Sequence, residues 1–376
     1  MIRYIELGED KQLHEIVMAG SHDAGITGGG KNVQTQSLSI GGQAEAGVRF
    51  FDLRVAAGTV GVVHKTFQGN VKEASLMAFH ADKRLMKNRE KVRYLPEVGR
   101  IQGLTRTKLR GGAFGEGLQK MLREARAFVE KHTSEFLILK FDKCENWSLI
   151  AEVITHELYP VLYKGSGNLN TKRLRDLKGK VICLFSSKGL AATPPEYHGA
   201  NGILGFRNLY ESGGGYDPNY RGLQYFGKGG TSPFNAIRKF HQNESKQRKL
   251  MRKGMATAPE VLGMMYWTTT GLKESIQKRN EGMWSDKNLG KLMQMWRDGL
   301  EESINMRIAE HIDPKKYSSA PILKAFMPNI VMVDFANEFR CQVIYDLNFV
   351  AAVELTLAAQ AVDSVRQAYT TLPVGA

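Results

Sequence analysis

Short apolar runs alternate with stretches of helical periodicity along most of the chain. Seven runs have the continuous apolar character of strands buried on both faces, which is typical of parallel sheets flanked by helices. These runs are HEIVMAGSH, VRFFDLRV, VGVVHKTF, EFLILKFDK, KVICLFSS, VLGMMYWTTT and PNIVMVDFANE. An eighth strand is expected in NGILGFRNL or GLQYFGK, and helices are expected between the strands, for example at GLQKMLREARAFVEKH.

This alternation predicts an α/β fold, a single (β/α)8 TIM-type barrel that is either regular or distorted and incompletely closed. An open doubly wound sheet is the alternative. We expect one barrel domain over residues 1–376, with a basic, partly helical insertion at about 65–116 and a C-terminal helix at about 350–370. The insertion is too long for a simple connection between a strand and a helix.

The charge of the chain narrows the range of partners. Its formal net charge is +14, which favours nucleic acid, phospholipid surfaces or phosphorylated substrates. Half of this excess lies between Asp82 and Arg110, where there are ten basic and three acidic residues. A second run, residues 246–253, has five basic residues and no acidic one. Each run is either a solvated face or a surface that contacts an anion.

Three features bear on the cellular compartment. No apolar run of 18 residues suggests a membrane span, and the first residues, MIRYIELGEDKQLHE, lack the apolar core of a secretory signal. The cysteines Cys144, Cys183 and Cys341 have no spacing typical of disulfide frameworks or metal sites. We expect a secreted monomer, exported by another route or already without its leader, and a cytoplasmic protein is the alternative.

Polar residues occur where the predicted strands end. Since the carboxyl ends of all strands in a parallel barrel share one rim, these residues should converge despite their separation in sequence. They comprise two histidines, an arginine, a lysine and several carboxylates: His22, Asp23, Asp52, Arg54, His64, Lys140, Asp142 and Asp334.

Such a set of side chains is suited to phosphodiester chemistry. Two histidines on opposite sides of a substrate can act as general base and general acid near neutral pH. An arginine between them offers paired donors to the phosphate oxygens, and a carboxylate beside each histidine fixes its tautomer. The set predicts metal-free cleavage in which one histidine deprotonates a neighbouring hydroxyl and the other protonates the leaving oxygen.

Several of these residues lie in segments that resemble a known family. GSHDAG, TQSLSIGGQAEAGVRFFDLRV, a following strand that bears His64, and the late VMVDFANE are similar to the X-domain of bacterial-type phosphatidylinositol-specific phospholipases C. The similarity is specific over the first 65 residues and extends to 135–145 and 330–338. It implies a barrel enzyme that cleaves phosphatidylinositol to diacylglycerol and inositol 1,2-cyclic phosphate.

The resemblance implies a role for each matching residue. His22 would be the general base for the inositol 2-hydroxyl, oriented by Asp334. His64, paired with Asp23, would be the general acid for the diacylglycerol oxygen. Arg54 would contact the non-bridging phosphate oxygens.

The substrate contacts implied by the resemblance lie on three further strands. Asp52 would support Arg54, while Lys140 and Asp142 would face the inositol hydroxyls. Asp142 could instead pair with Lys140 or Arg54, or belong to a residual metal site. Tyr266 would pack either on the inositol ring or in the core.

We expect neither a metal nor another cofactor. Eukaryotic relatives have an Asn after the first histidine and acidic calcium ligands on the second strand, whereas here Asp23 follows His22 and the cationic Arg54 stands where a metal ligand would. The expected partner is phosphatidylinositol in membranes or micelles, with peripheral contact to an anionic membrane surface and no nucleic acid. The other seven histidines, His80 among them, are expected at surface or helix positions.

Two other functions remain open from the sequence. A glycerophosphodiester phosphodiesterase also has histidines at the rim of a barrel. However, the first strand of such enzymes has a His-Arg-Gly motif, which SHDAG does not match. A basic module that binds lipid or nucleic acid without catalysis would explain the charge but not the set of His, Arg and Asp residues.

Overall fold

Eight parallel strands close into a barrel, which confirms the predicted TIM-type fold. A computed structural model describes residues 1–66, 69–81, 86–94, 102–109, 112–229, 243–250, 260–269, 275–285, 288–292 and 328–349. Strands are numbered in chain order, and the eight barrel strands follow one another around the ring as β1, β2, β8, β9, β10, β11, β12 and β13, with β13 pairing again with β1. Their bounds are Met18–Ser21 (β1), Val48–Leu53 (β2), Phe136–Phe141 (β8), Lys180–Phe185 (β9), Ile203–Asn208 (β10), Gly222–Gly227 (β11), Leu262–Trp267 (β12) and Ile330–Val333 (β13).

Two of the predicted strand positions are corrected. NGILGFRNL and GLQYFGK both supply barrel strands, β10 and β11, whereas VGVVHKTF lies outside the barrel in Val55–Thr66 (β3). Only Arg54 separates β2 from β3, and a parallel neighbour would need a crossover of about a dozen residues. The chain instead forms a long antiparallel pair of β3 with Gly69–His80 (β4).

The predicted insertion is a β structure in its described residues. After β4 come Met86–Tyr94 (β5) and Gln102–Leu109 (β6), which form an antiparallel pair, and then Ala113–Gly117 (β7), which returns to pair with β4. The expectation of a partly helical insertion at 65–116 is therefore wrong for these residues, and the extra sheet begins earlier, at residue 55. A run of basic residues can lie on a solvated strand or on the polar face of an amphipathic helix. The charge of this segment therefore did not distinguish the two.

Helices surround the barrel and pack on it through apolar faces. Leu118–Lys131 (α2) buries Leu118, Met121, Leu122 and Ala125 at the spacing of one helix face. The predicted C-terminal helix at 350–370 lies outside the described residues. The other helices are Ile40–Ala46 (α1), Trp147–Leu158 (α3), Leu174–Leu177 (α4), Ser187–Ala191 (α5), Leu209–Ser212 (α6), residues 243–250 (α7), Ile276–Met283 (α8), residues 288–292 (α9) and residues 338–349 (α10).

The amino-terminal end of the barrel is closed by a buried ion pair. Arg49 of β2 lies 2.9 Å from Glu135, and neither side chain is exposed to solvent. Glu135 also accepts hydrogen bonds from the backbone N–H groups of Tyr4 and Ile5. The first residues of the chain are thereby fastened across this end. Within the described residues, no helix combines the length and apolar character that crossing a membrane requires.

Candidate active site

The predicted site residues converge at the carboxyl end of the barrel. His22 and Asp23 directly follow β1, Arg54 follows β2, and Asp334 follows β13. Asp52 lies within β2, Lys140 within β8 and Tyr266 within β12, each near the end of its strand, and Asp142 follows β8. His64 is the exception.

His22 is held in place by the neighbouring strand. Its Nδ1 lies 2.8 Å from Oδ1 of Asp334, and its backbone N–H donates to the carbonyl of Val333. The side-chain amide of Gln36 donates to the carbonyls of both His22 and Val333, so it ties the ends of β1 and β13 together. The second oxygen of Asp334 accepts a hydrogen bond from Asn280, which is fully buried on α8. Nε2 is therefore the nitrogen of His22 that is left for a ligand.

The surroundings of His22 favour its protonated form. Burial lowers the pKa of the imidazole, but the charges of Asp23 and Asp334, together with the hydrogen bond to Asp334, outweigh burial and raise the pKa to about 9. The positive charge of Arg54 opposes this rise.

Asp23 is the centre of the charged cluster. Its side chain is buried, with Oδ2 2.6 Å from Nδ1 of His80 and Oδ1 3.1 Å from Nε of Arg54. Nε2 of His22 lies 3.6 Å from the same Oδ2. Burial raises the pKa of this carboxyl, but Arg54, His22 and His80 together lower it by more than burial raises it. The net shift of the pKa is downward, and Asp23 is ionised. Its left-handed backbone (φ +44°) turns the chain away from β1.

His80, and not His64, is the partner of Asp23. His64 pairs with Val71 in the outer part of the β3–β4 hairpin, ten residues beyond Arg54 and thus about 30 Å along an extended strand. The antiparallel return of β4 brings the chain back to the rim, where the N–H of Phe79 donates to the carbonyl of Arg54. The predicted pairing of His64 with Asp23 is therefore wrong, as is the expected surface role of His80. One signal was present in the sequence: the apolar run SLMAF ends on His80 just as IVMAG ends close to His22.

A second charged group lies in the barrel interior beside the first. Asp52 and Lys140 are register partners on β2 and β8, and Nζ of Lys140 lies 2.8 Å from Oδ1 of Asp52. Asp142 contacts the same ammonium at 3.5 Å, which is one of the pairings left open by the sequence. The direct ion pair of Arg54 is with Asp23, so the expected support of Arg54 by Asp52 is a longer-range effect.

Tyr266 borders the site on the side of β12. Its ring packs edge-on against the ring of His22, with centroids 5.8 Å apart, and the residue is 8% exposed. Tyr266 is thus a buried residue whose ring contacts a residue of the site. Its position allows it to limit the space in front of His22.

The donor atoms present do not fit a bound metal cation. His22, Asp23 and Asp52 each have one possible ligand atom within 4.8 Å of the others. However, Arg54 lies 3.1 Å from Asp23, and Lys140 lies 2.8 Å from Asp52. Both carboxylates are therefore already neutralised by fixed cations, which would repel a divalent ion.

Comparison with known proteins found similarity at the level of structure. No protein-family model matches the chain, and no curated protein sequence matches it significantly. The phosphatidylinositol-specific phospholipase C from Listeria monocytogenes is 15% identical, with a TM-score of 0.46 over 90% of this chain and 95% of that chain. A pentafluorophenylalanine-containing form of the Staphylococcus aureus enzyme is 14% identical, with a TM-score of 0.49 over 91% and 95%.

A calcium-dependent phosphoinositol-specific phospholipase C from Pseudomonas is 12% identical, with a TM-score of 0.36 over 69% of this chain and 84% of that chain. At such identities and TM-scores, the function of this chain has to be inferred from its own site. The chain is similar to bacterial phosphatidylinositol-specific phospholipases C.

Proposed function

We propose that this protein is a metal-independent phospholipase C that cleaves phosphatidylinositol to diacylglycerol and inositol 1,2-cyclic phosphate. One observation carries the proposal: two histidines at one rim each have a carboxylate on Nδ1, and an arginine lies between them on the shared Asp23. Paired imidazoles of this kind are suited to a general base and a general acid acting on the same substrate.

In the first step, Nε2 of His22 takes the proton of the inositol 2-hydroxyl. The hydroxyl oxygen forms a bond to phosphorus as the bond from phosphorus to the glycerol oxygen breaks. Asp334 supports this role because its contact with Nδ1 fixes the proton there and leaves the lone pair on Nε2. Asn280 in turn holds Asp334.

His80 protonates the leaving glycerol oxygen in the same step. In its protonated form, His80 donates Nδ1–H to Asp23 and transfers the proton on Nε2 to the leaving oxygen. This role replaces the one predicted for His64. The His80 side chain is 28% exposed, compared with 15% for His22, which suits contact with a leaving group that remains in the lipid surface.

Arg54 stabilises the charge that develops on the phosphate. Its Nε faces Asp23, and its two Nη groups make no hydrogen bond within the part of the chain that the structure describes. A fixed guanidinium of this kind donates to two non-bridging oxygens without reorganising. Asp52, Lys140, Asp142 and Tyr266 would contact the inositol ring.

The proposal is tested by following products from phosphatidylinositol vesicles by phosphorus NMR. We expect inositol 1,2-cyclic phosphate as the first product, with slow hydrolysis to inositol 1-phosphate afterwards. His22→Ala should reduce the rate by roughly 10²–10⁴. Absence of turnover by the wild-type protein, or an open-chain inositol phosphate as the first product, would contradict the proposal.

Peripheral binding to anionic membranes and secretion belong to the same proposal. The support is the +7 charge of residues 82–110, whose connection to the barrel lies where β7 pairs with the end of β4 at His80. Binding to vesicles that contain phosphatidylserine should weaken steeply with salt, because such binding depends on screened charges. Co-sedimentation at increasing ionic strength measures this, and detection of the protein in culture medium tests secretion.

A further inference from the structure

The turn that carries Asp334 has a strained backbone. Phe335, the next residue, has φ +49°, in the left-handed region that a bulky side chain rarely adopts. Such conformations persist only where neighbouring groups hold them. Part of the support comes from the segment between β1 and α1. The N–H of Phe335 donates to the carbonyl of Thr35, and the N–H of the next residue, Ala336, donates to Oε1 of Gln36.

The other hydrogen bonds of this turn come from one guanidinium. Nη1 of Arg340 donates to the carbonyls of Asp334 (2.7 Å) and Phe335 (2.8 Å). The two peptide groups that flank the left-handed residue are therefore bound by the same nitrogen. Arg340 is only 6% exposed. A change of the turn would break both hydrogen bonds and leave Nη1 of a buried cation without its acceptors, which is costly.

Local structure does not favour an arginine at this position. Oδ1 of Asn337 accepts from the N–H of Arg340 and caps α10, so Arg340 is the third residue of that helix. The helix dipole favours a carboxylate in the first turn and disfavours a cation. Within the described residues, Arg340 forms no ion pair with a carboxylate that would offset its burial. The two carbonyls of the turn are what the guanidinium serves.

A second helix connects Arg340 to the side chain of Asp334. The guanidinium carbon of Arg340 lies 5.5 Å from the centroid of the Trp284 ring. Trp284 directly follows α8, one helical turn after Asn280, and Asn280 donates to Oδ2 of Asp334 at 3.1 Å. Asp334 is thus held at its backbone from α10 and at its side chain from α8. Its Oδ1 is left for Nδ1 of His22.

We propose that Arg340 is a positioning residue for catalysis, which holds the turn at Phe335 so that Asp334 meets Nδ1 of His22. The inference rests on the proposed function, in which Nε2 of His22 accepts the proton of the attacking hydroxyl. Without Arg340, the turn can relax out of the left-handed region and move the carboxylate away from the imidazole. The proton of neutral His22 would then distribute over both nitrogens, and Nε2 would be free to accept a proton in fewer molecules.

A double-mutant cycle tests whether Arg340 acts through Asp334. Arg340→Met should reduce kcat by roughly 10–100-fold with little change in KM, the usual cost of removing a group that orients a functional histidine. Arg340→Lys should recover part of this loss, because an ammonium can still donate to the turn. In Asp334→Ala, the further substitution Arg340→Met should cost nothing, since the carboxylate that it positions is already gone.

Two controls separate positioning from a purely structural role. Gln342→Ala changes an exposed residue of the same helix, which bonds to Asp346, and should leave kcat unchanged. Glu135→Ala weakens the opposite end of the barrel and should lose stability towards urea without losing kcat. A wild-type kcat in Arg340→Met, or losses from Arg340→Met and Asp334→Ala that multiply in the double variant, would overturn the proposal.

Proton NMR decides the inference even if the wild type cleaves no lipid, an outcome that would contradict the proposed function alone. The Nδ1–H of His22 on Asp334 should give a downfield resonance that Asp334→Ala removes. Arg340→Met should weaken this resonance and lower the pKa of His22, because the charge and hydrogen bond of Asp334 raise that pKa. If Arg340→Met does not fold, Arg340→Lys should show the same changes to a smaller extent. An unchanged resonance and pKa in the folded variant would show that Arg340 does not position Asp334.

Discussion

The two ends of the barrel each contain a buried Arg–carboxylate contact, but the two contacts differ in whether polar atoms remain available to a ligand. At the amino-terminal end, Arg49 and Glu135 are fully buried, and the Arg49 guanidinium also donates to the carbonyls of Ile2, Ala44 and Val48. At the carboxyl end, Asp23 is shared by Arg54 and two histidines that remain partly exposed.

This difference separates a stabilising cluster from one suited to chemistry. At the amino-terminal end every charge has its partners, so the pair can only hold the first residues on the barrel. At the carboxyl end, one nitrogen of each histidine and the outer part of Arg54 are left to face a ligand. Charged clusters in which some polar atoms can still bind a ligand are typical of catalytic sites.

The largest effect is expected from the histidine on Asp23. His80→Ala should reduce turnover of phosphatidylinositol by roughly 10²–10⁴, the usual contribution of a general acid. His64→Ala is the matched control, because residue 64 lies far out on the β3–β4 hairpin. Initial rates on mixed micelles measure both variants. A large loss in His64→Ala with normal activity in His80→Ala would reverse the assignment.

The opposite end of the barrel should respond in stability and not in rate. Glu135→Ala leaves Arg49 buried without its counter-charge, which typically costs about 3–5 kcal/mol of unfolding free energy. Urea denaturation measures this loss, and kcat of the remaining folded protein should stay near the wild-type value. A drop in kcat comparable to that of His80→Ala would remove the distinction between the two ends.

The third prediction concerns pH. Since the pKa of His22 is raised to about 9, its neutral, proton-accepting form is the minority species at pH 7. The rate should therefore rise about tenfold per pH unit well below pH 9. Asp334→Asn removes a negative charge beside His22, so the midpoint of the pH–rate profile should move to lower pH while kcat falls. An unchanged midpoint in this variant would show that a different group is titrating.

The smallest effect is expected from metal ions. Because Arg54 and Lys140 already neutralise Asp23 and Asp52, EDTA should leave the rate unchanged and added calcium should not raise it. Rates on micelles with EDTA or with calcium measure this directly. Arg54→Ala is the informative comparison, since a gain of calcium dependence there would identify the guanidinium as the substitute for a metal.

Much of the site could be predicted from the ends of the strands. His22, Asp23, Arg54 and Asp334 each follow an apolar run, and parallel strands bring such positions to one rim whatever their distance in sequence. Lys140 was placed correctly for a similar reason, because strand alternation puts it on the same face as Asp142.

The pairing of Asp23 was not predictable in this way. VGVVHKTF and EASLMAFH are both strand-like runs containing a histidine, and their periodicity is the same whether the partner strand is parallel or antiparallel. Their location depends on the turn between them and on the register of β3 with β4, in which Val55 faces Ala78. These are contacts between residues distant in sequence, which a local pattern does not contain.

The sequence by itself thus determined the barrel and the residues at its strand ends, because burial on two faces and strand polarity are written in consecutive positions. The tertiary structure alone decided which histidine meets Asp23 and which carboxylate meets Lys140. Each of these depends on how distant segments fold back onto one rim, and charge and periodicity leave that choice open.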